Sequence, residues 1–261
     1  MNRTLWWLSD AWVVTLRNLR RIPRQPNVLV FAVIQPILFI VMFRYVFGGA
    51  MGSAPGVAGG NYAQFLMPGI FVQTVVFGSV AGAAIGIAED MQKGLMDRFR
   101  SLPMSRSSVL LGRALASLVP NSITVAVMMV VGLLVGFRFQ GSAFEAVGGV
   151  LLLLLFGFSL SWIAILIGLS VGSVEAAQSA GMIWLFPLTF ASSAFVPAQT
   201  MPGWLRAFAE ANPVTVTVDT LRGVFNGTDI GSSGWQMTAW MLGVLVVFLP
   251  LSVAKFRRAD A

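Results

Sequence analysis

The sequence predicts an all-α integral membrane protein with six transmembrane helices, an amphipathic interfacial helix before the first of them, and both termini in the cytoplasm. Three observations carry that reading: six long runs without a charged residue, an uneven division of arginine and lysine among the segments between them, and 57% apolar residues against the ~45–50% of an ordinary soluble protein. The uncharged runs cover 26–43, 61–88, 114–137, 146–174, 176–205 and 230–254. A helix rises about 1.5 Å per residue and the hydrocarbon core is about 30 Å thick, so ~20 apolar residues cross it. A soluble domain of this size would carry acids and bases on the outer face of nearly every helix, which such runs exclude. Spans are therefore expected over 26–47, 62–88, 110–136, 146–172, 176–197 and 233–254 of a single membrane domain.

Orientation follows from the bases. Arg3, Arg17, Arg20, Arg21 and Arg24 precede the first span, Lys93, Arg98, Arg100, Arg106 and Arg113 lie between the second and third, and Lys255, Arg257 and Arg258 follow the sixth, thirteen in all. The other side holds four, Arg44, Arg138, Arg206 and Arg222. The positive-inside rule puts the thirteen in the cytoplasm. The net charge of +7 is then mostly a topology signal, a surface facing anionic lipid headgroups, and nucleic acid is not an expected partner.

Taken in order, residues 4–25 come first. Leu5, Leu8, Trp12, Leu16 and Leu19 recur at three and four and draw one apolar stripe on a helix, with Arg17, Arg20 and Arg21 toward its C-terminal end. Indole rings suit the headgroup layer, and the cationic last turn complements the helix dipole. The start of the chain has no sustained apolar core, so no cleavable signal peptide is expected. Pro23 and Pro26 break the helix and turn the chain into span one. Residues 48–60 are rich in glycine and small residues and read as a flexible external loop.

The cytoplasmic segment 89–108 interleaves acids, bases and large apolar residues. Leu95, Met96 and Phe99 form the apolar edge of a short helix ending before Pro103, and Asp97, Arg98 and Arg100 stay available to a partner. Span five is broken toward the outside by Pro187, Pro197 and Pro202, and 203–213 reads as an amphipathic piece, re-entering or lying on the outer leaflet, within an extracellular segment 198–232.

The predicted spans contain no acid, whereas proton- and sodium-coupled carriers generally place Asp or Glu on the ion path. Their polar groups are amides and hydroxyls, among them Gln35 beside Pro36, Gln73 beside Thr74, and Asn121 after Pro120. Such groups either hydrogen-bond between helices, worth about 1 kcal/mol or less, or line a substrate route. The candidate route comprises Gln35, Phe71, Gln73, Phe77, Asn121, Trp184 and Phe190, although such rings are more often lipid-facing or packing residues than a ligand surface. With neither Cys nor His in the chain, disulfide, thiol and Cys-ligated metal chemistry are excluded and the commonest general base is missing. No catalytic, metal-binding or cofactor-binding residue is expected. The two lysines, Lys93 and Lys255, follow Gln92 and Ala254, so there is no Gly-Lys-Ser/Thr phosphate loop.

The segment AEDMQKGLMDRFRSLPMSRSSVLLGR over 88–113 resembles the cytoplasmic signature of type-2 ABC transporter permeases. RNLRRIPRQP over 17–26 resembles the N-terminal elbow of the daunorubicin-resistance branch, YVFGG over 45–49 the end of its first span, and FVPAQTMPGWL over 195–205, with Asn212-Pro213 and Leu221-Arg222, the segment before its last. The resemblance implies a six-helix half-permease in a bacterial plasma membrane. It pairs with a second copy, or a related permease, and with two separate cytoplasmic ATPase subunits that carry ATP and Mg. The cargo it implies is a hydrophobic or amphipathic drug, antibiotic or lipid. A coupling element meets the ATPase through Glu89, Lys93, Gly94, Leu95, Asp97, Arg98, Phe99, Arg100, Pro103 and Arg106, and the elbow helix holds Trp12, Arg17, Arg20 and Arg21. Small residues in span two, Gly78, Ala81, Gly82, Ala83 and Gly86, suit close approach of the second copy. A glycan exporter, a non-transporting scaffold for an ATPase and an ion-coupled carrier stand as the alternatives.

Overall fold

The computed structural model describes residues 12–19, 26–52, 57, 61–95 and 106–258. Among the described residues every regular element is helical. A helix over 12–19 (α1) is followed by α2 (Pro26–Val41), which runs on through a π-helical turn (Met42–Val46), and by the short α3 (Gly48–Gly52). Then come α4 (Tyr62–Gln92), α5 (Arg106–Val135), α6 (Ala143–Gly168) and α7 (Val174–Phe190). A 3-10 turn (Ala198–Thr200), α8 (Gly203–Ala211), α9 (Pro213–Asn226) and α10 (Ser233–Arg258) complete the chain.

Four of these helices, α4, α5, α6 and α10, are long and apolar enough to cross a membrane, and the first and fifth uncharged runs hold the shorter α2 and α7. Their ends have local causes. Ser142 caps α6 by accepting from the Glu145 N–H while Glu145 reaches back to the Ser142 N–H, a reciprocal capping box. Ser173 caps α7, and Asn212 followed by Pro213 starts α9. At its C-terminal end α4 continues through Glu89, Asp90, Met91 and Gln92, where a loop from 89 is expected from the sequence. Charge ends contact with lipid, not the helix: Glu, Met and Gln are good helix formers. The turn is closed only at Gly94, whose φ of +64° suits a residue without a Cβ.

α4 is the centre of the bundle, in contact with α2, α5, α6, α7 and α9. Of its most apolar stretch 72% is buried, against 17% for α10 at the periphery. Close approach depends on small residues: a Cβ on Gly69 would stand 2.1 Å from the Ala194 carbonyl oxygen, and one on Gly157 of α6 2.4 Å from a methyl of Val75. Phe71, Phe137, Phe139 and Phe225 lock α4, the α5–α6 connection and α9 together edge to face. Outside, Val30, Ile34 and Leu38 of α2, Ile123, Val127, Val130 and Leu134 of α5, and Leu242, Val246 and Val247 of α10 are exposed. A surface this apolar requires lipid around it.

Within 198–232 the structure builds more than the outer amphipathic piece read from sequence. α8 exposes Trp204 and Phe208 and buries Ala209, whereas α9 buries Val214, Val216, Val218, Leu221 and Phe225 against α4, α6 and α10. Arg222, expected from the sequence as an external charge within the Leu221-Arg222 pair, holds this arrangement. Its Nη2 donates to the Ser193 carbonyl at 2.7 Å, its Nη1 to Asp219 at 2.7 Å and its Nε to the Phe65 carbonyl at 3.1 Å, with the guanidinium 3.6 Å above the Phe65 ring. Burial pushes its pKa down to about 10 while the Asp219 carboxylate opposes the shift, so the group stays a cation at neutral pH. Asn212 adds a second tie, its Nδ2 donating to the carbonyls of Leu188 and Ala191.

Arg222→Met removes these donors and leaves the Phe65 and Ser193 carbonyls without them, which predicts a loss on the order of 3 kcal/mol. Arg206→Ala breaks only an exposed pair with Glu210 and is expected to cost below about 0.5 kcal/mol. Thermal unfolding in detergent micelles followed by tryptophan fluorescence compares the two.

Candidate functional site

Two features, one in the middle of α4 and one at its C-terminal end, gather polar side chains from neighbouring helices. The first is a cavity of about 280 Å³ between α2, α4, α5 and α7, lined by Gln35, Pro36 and Phe39 of α2, Gln73, Thr74, Phe77, Gly78, Ala81 and Gly82 of α4, Pro120, Asn121 and Thr124 of α5, and Met182 of α7. Its walls are mostly apolar and none of its residues is charged. Asn121 donates from Nδ2 to the Ser79 hydroxyl at 2.7 Å, and the hydroxyls of Thr74 and Thr124 turn back onto the carbonyls of Ile70 and Pro120 in their own helices. Gln73 differs: it is 4% exposed and its Nε2 has no hydrogen-bond partner. Pro36 has no N–H to give the Ala32 carbonyl, which removes one helical bond from the α2 wall.

The second feature is an ion cluster. The Asp90 carboxylate is buried at the end of α4, with Arg17 of α1 at 3.0 Å and Arg113 of α5 at 3.9 Å. Asn18 Oδ1 accepts from both arginines, and Thr15 of α1 donates to the Gly112 carbonyl of α5. Arg113 also reaches along α4 to donate from Nη2 to the Gly82 carbonyl at 2.7 Å. It crosses directly over Gly86, where a Cβ would stand 1.0 Å from its Nη2. One guanidinium therefore spans from the lip of the cavity at Gly82 to the cluster at Asp90, two helical turns away.

Of the route residues read from the sequence, the fold brings Gln35, Gln73, Phe77 and Asn121 to this one cavity. It sends the other three elsewhere. Phe71 belongs to the buried aromatic cluster with Phe137 and Phe225, Phe190 stacks with Phe186 and Phe195, and Trp184 lies outside the cavity with its indole N–H buried and unpartnered. Of the small residues, Gly78, Ala81 and Gly82 border the cavity, but Ala83 is fully buried inside the bundle and Gly86 lies under Arg113, so neither is open to a second copy.

In the segment 89–108 Glu89 and Lys93 pair at 3.2 Å and Gly94 and Leu95 end the described stretch; Arg106 opens α5, and Asp97, Arg98, Phe99, Arg100 and Pro103 lie outside the described residues. On the first helix Trp12 is 58% exposed and Arg17 binds Asp90, while Arg20 and Arg21 lie outside the described residues. The sequence reading did not pick out Asp90, Asn18 or Arg113 as a site. The available signal is their position: Asp90 stands just after one uncharged run and Arg113 just before the next. The fold sets the two opposite charges beside each other on adjoining helices.

Residues 9–226 match the family described as ABC-2 type transporter. The chain is 35% identical over 240 residues to a daunorubicin resistance ABC transporter permease protein, DrrB1, of Streptomyces coeruleorubidus, covering 90% of this chain and 82% of that protein. It is 26% identical over 255 residues to a probable doxorubicin resistance ABC transporter permease protein, DrrC, of Mycobacterium tuberculosis, covering 97% and 90%. A putative transport permease, ycf38, of Cyanophora paradoxa is 26% identical over 259 residues, covering 97% and 88%.

The natural chain has no cysteine, so Thr15→Cys with Gly112→Cys reports docking of α1 without background. Oxidation is expected to cross-link the pair in membranes, and Asp90→Asn, which leaves Arg17 and Arg113 facing each other without their shared anion, is expected to cut the yield several-fold. Gel mobility before and after reduction measures it, and an unchanged yield denies the cluster its role.

Proposed function

This chain belongs to the ABC-2 type transporter family, and from that premise we propose that it is the membrane permease of an ATP-driven exporter moving a hydrophobic or amphipathic compound out of a bacterial cell. Relatives that carry the names of daunorubicin and doxorubicin resistance permeases support a drug-like cargo. Membership of the family implies an ATPase on a separate subunit, so ATP and Mg belong to the partner and this chain supplies the path and the lever. In this reading the protein has six spans, with α2 and α7 completing the four longer helices; α1 is the elbow helix at the cytoplasmic interface, and both termini face the cytoplasm. Two copies of the ATPase and a second permease, the same chain or a relative, complete the transporter.

The observation that carries the mechanism is the continuity of α4. It runs unbroken from the cavity residues Gln73–Gly82 to Asp90 and Gln92, beside the segment proposed to touch the ATPase. From Phe77 to Asp90 is about 20 Å at 1.5 Å per residue. ATP binding draws the two ATPases together and displaces the segment after Gln92. Asp90 couples that displacement to α1 through Arg17 and to α5 through Arg113, and α4 carries it to the cavity wall. The side of the cavity at Gly82, where a Cβ would meet nothing within 4 Å, faces the second permease, and movement between the halves exposes the cavity outward.

Two experiments test this. In lipid vesicles, ATP hydrolysis by the ATPase encoded beside this chain is expected to rise several-fold when the permease is present and to change again with an amphipathic drug; no binding and no change of turnover removes the exporter reading. In intact cells a single cysteine at Thr228 is expected to react with a membrane-impermeant maleimide, and one at Lys93 only after lysis. The reverse pattern inverts the topology.

A further inference from the structure

Building on the exporter reading, we propose that the cavity between α2, α4, α5 and α7 receives the uncharged, carbonyl- or hydroxyl-bearing part of a flat aromatic compound, and that Gln73 is the residue that selects it. The electrostatics come first. No residue lining the cavity is charged, and the guanidinium at its cytoplasmic lip, Arg113 on the Gly82 carbonyl, is a cation. The nearest carboxylates along α4, Glu89 and Asp90, are sixteen and seventeen residues from Gln73, about 25 Å at the helical rise, and are already committed, Glu89 to Lys93 and Asp90 to Arg17 and Arg113. An ammonium group entering here loses its water and meets no anion, a penalty that contact with two phenyl rings does not return.

Hydrogen-bonding capacity comes second. Asn121, Thr74 and Thr124 already donate within the protein and Gln35 is exposed, which leaves Gln73, nine-tenths or more buried, as the buried amide in the wall with an unsatisfied donor. A buried amide without a partner penalises the empty site, and a ligand carbonyl or hydroxyl that pairs with it recovers the loss. One such amide is far too little for a glycan, whose many hydroxyls would all need partners. The apolar remainder is built from the rings of Phe39, Phe77, Pro36 and Pro120. A volume of about 280 Å³ lies at the small end of drug-sized sites and suits a few fused rings rather than a whole phospholipid.

The test uses the permease assembled with its ATPase in lipid nanodiscs and two probes on one ring system, neutral 1,4-dihydroxyanthraquinone and the same ring bearing a tertiary-amine arm, with empty nanodiscs as the partition control. Binding is read by quenching of tryptophan fluorescence. The wild type is expected to bind the neutral probe about 10-fold more tightly than the cationic one. Gln73→Leu, which keeps an apolar wall, is expected to weaken the neutral probe about 10-fold, and Gln73→Glu, nearly isosteric, to invert the preference. Equal or tighter binding of the cationic probe by the wild type overturns the proposal, as does a Gln73→Leu variant that binds the neutral probe unchanged. Partner-dependent ATP turnover and transport that continue unaltered in both Gln73 variants also overturn it while leaving the exporter reading intact. The expected binding pattern without any transport supports the site and removes the exporter reading.

Discussion

In a hydrocarbon surrounding, an apolar side chain gains little by leaving lipid for a neighbouring helix, so a bundle holds together through close backbone approach and through polar groups that find partners. In this chain both are concentrated on α4. Gly69, on α4 itself, and Gly157, on α6, bring the α7–α8 connection and α6 against it, and the carbonyl of Phe65 and the side chains of Ser79 and Asp90 accept hydrogen bonds from three other segments, α9, α5 and α1. The outward-facing helices α2, α5 and α10 have no comparable requirement and show their apolar faces to lipid.

The two ends of α4 use the same chemistry for different ends. At its N-terminal end Arg222, Asp219 and Asn212 secure the carbonyls left where α7 stops, so a stretch of irregular backbone is fastened to the bundle by charge-assisted bonds. At its C-terminal end Asp90 joins two arginines from two helices through one carboxylate. A carboxylate shared in this way has discrete alternative partners, and that is what a two-state element needs. Between the ends lies a cavity whose walls are fixed by prolines in α2 and α5 and whose lip is marked by Arg113.

Much of the fold was legible because charge is so costly in lipid: the uncharged runs mark where the long helices lie. Helix ends were less legible, since charge reports where lipid stops and not where hydrogen bonding stops, which is why Glu89 and Asp90 read as loop and sit on α4. α9 was missed as a packed helix because its threonines and Arg222 look like surface chemistry, and only the fold shows Arg222 turned inward against Phe65 and Ser193. At the candidate site, amides inside the uncharged runs were a guide to the cavity wall, where Gln35, Gln73 and Asn121 stand, because their polarity has few uses in lipid. Aromatic rings were a poor one: Phe71 and Phe190 pack against other rings, and no local pattern separates a packing phenylalanine from a lining one such as Phe77.

If α4 carries the work of the ATPase to the cavity, it must move without bending. Spin labels at Asn61→Cys and Gln92→Cys flank its 31 residues, about 45 Å apart by helical rise, and both positions are exposed. Pulsed electron-spin resonance on the permease–ATPase complex in nanodiscs, with and without ATP, measures that separation directly. A single narrow distance that does not change with nucleotide is the result expected of a rigid lever. A distance that broadens or shortens when ATP binds would show that α4 hinges within the membrane, and the path from Asp90 to the cavity would have to be abandoned.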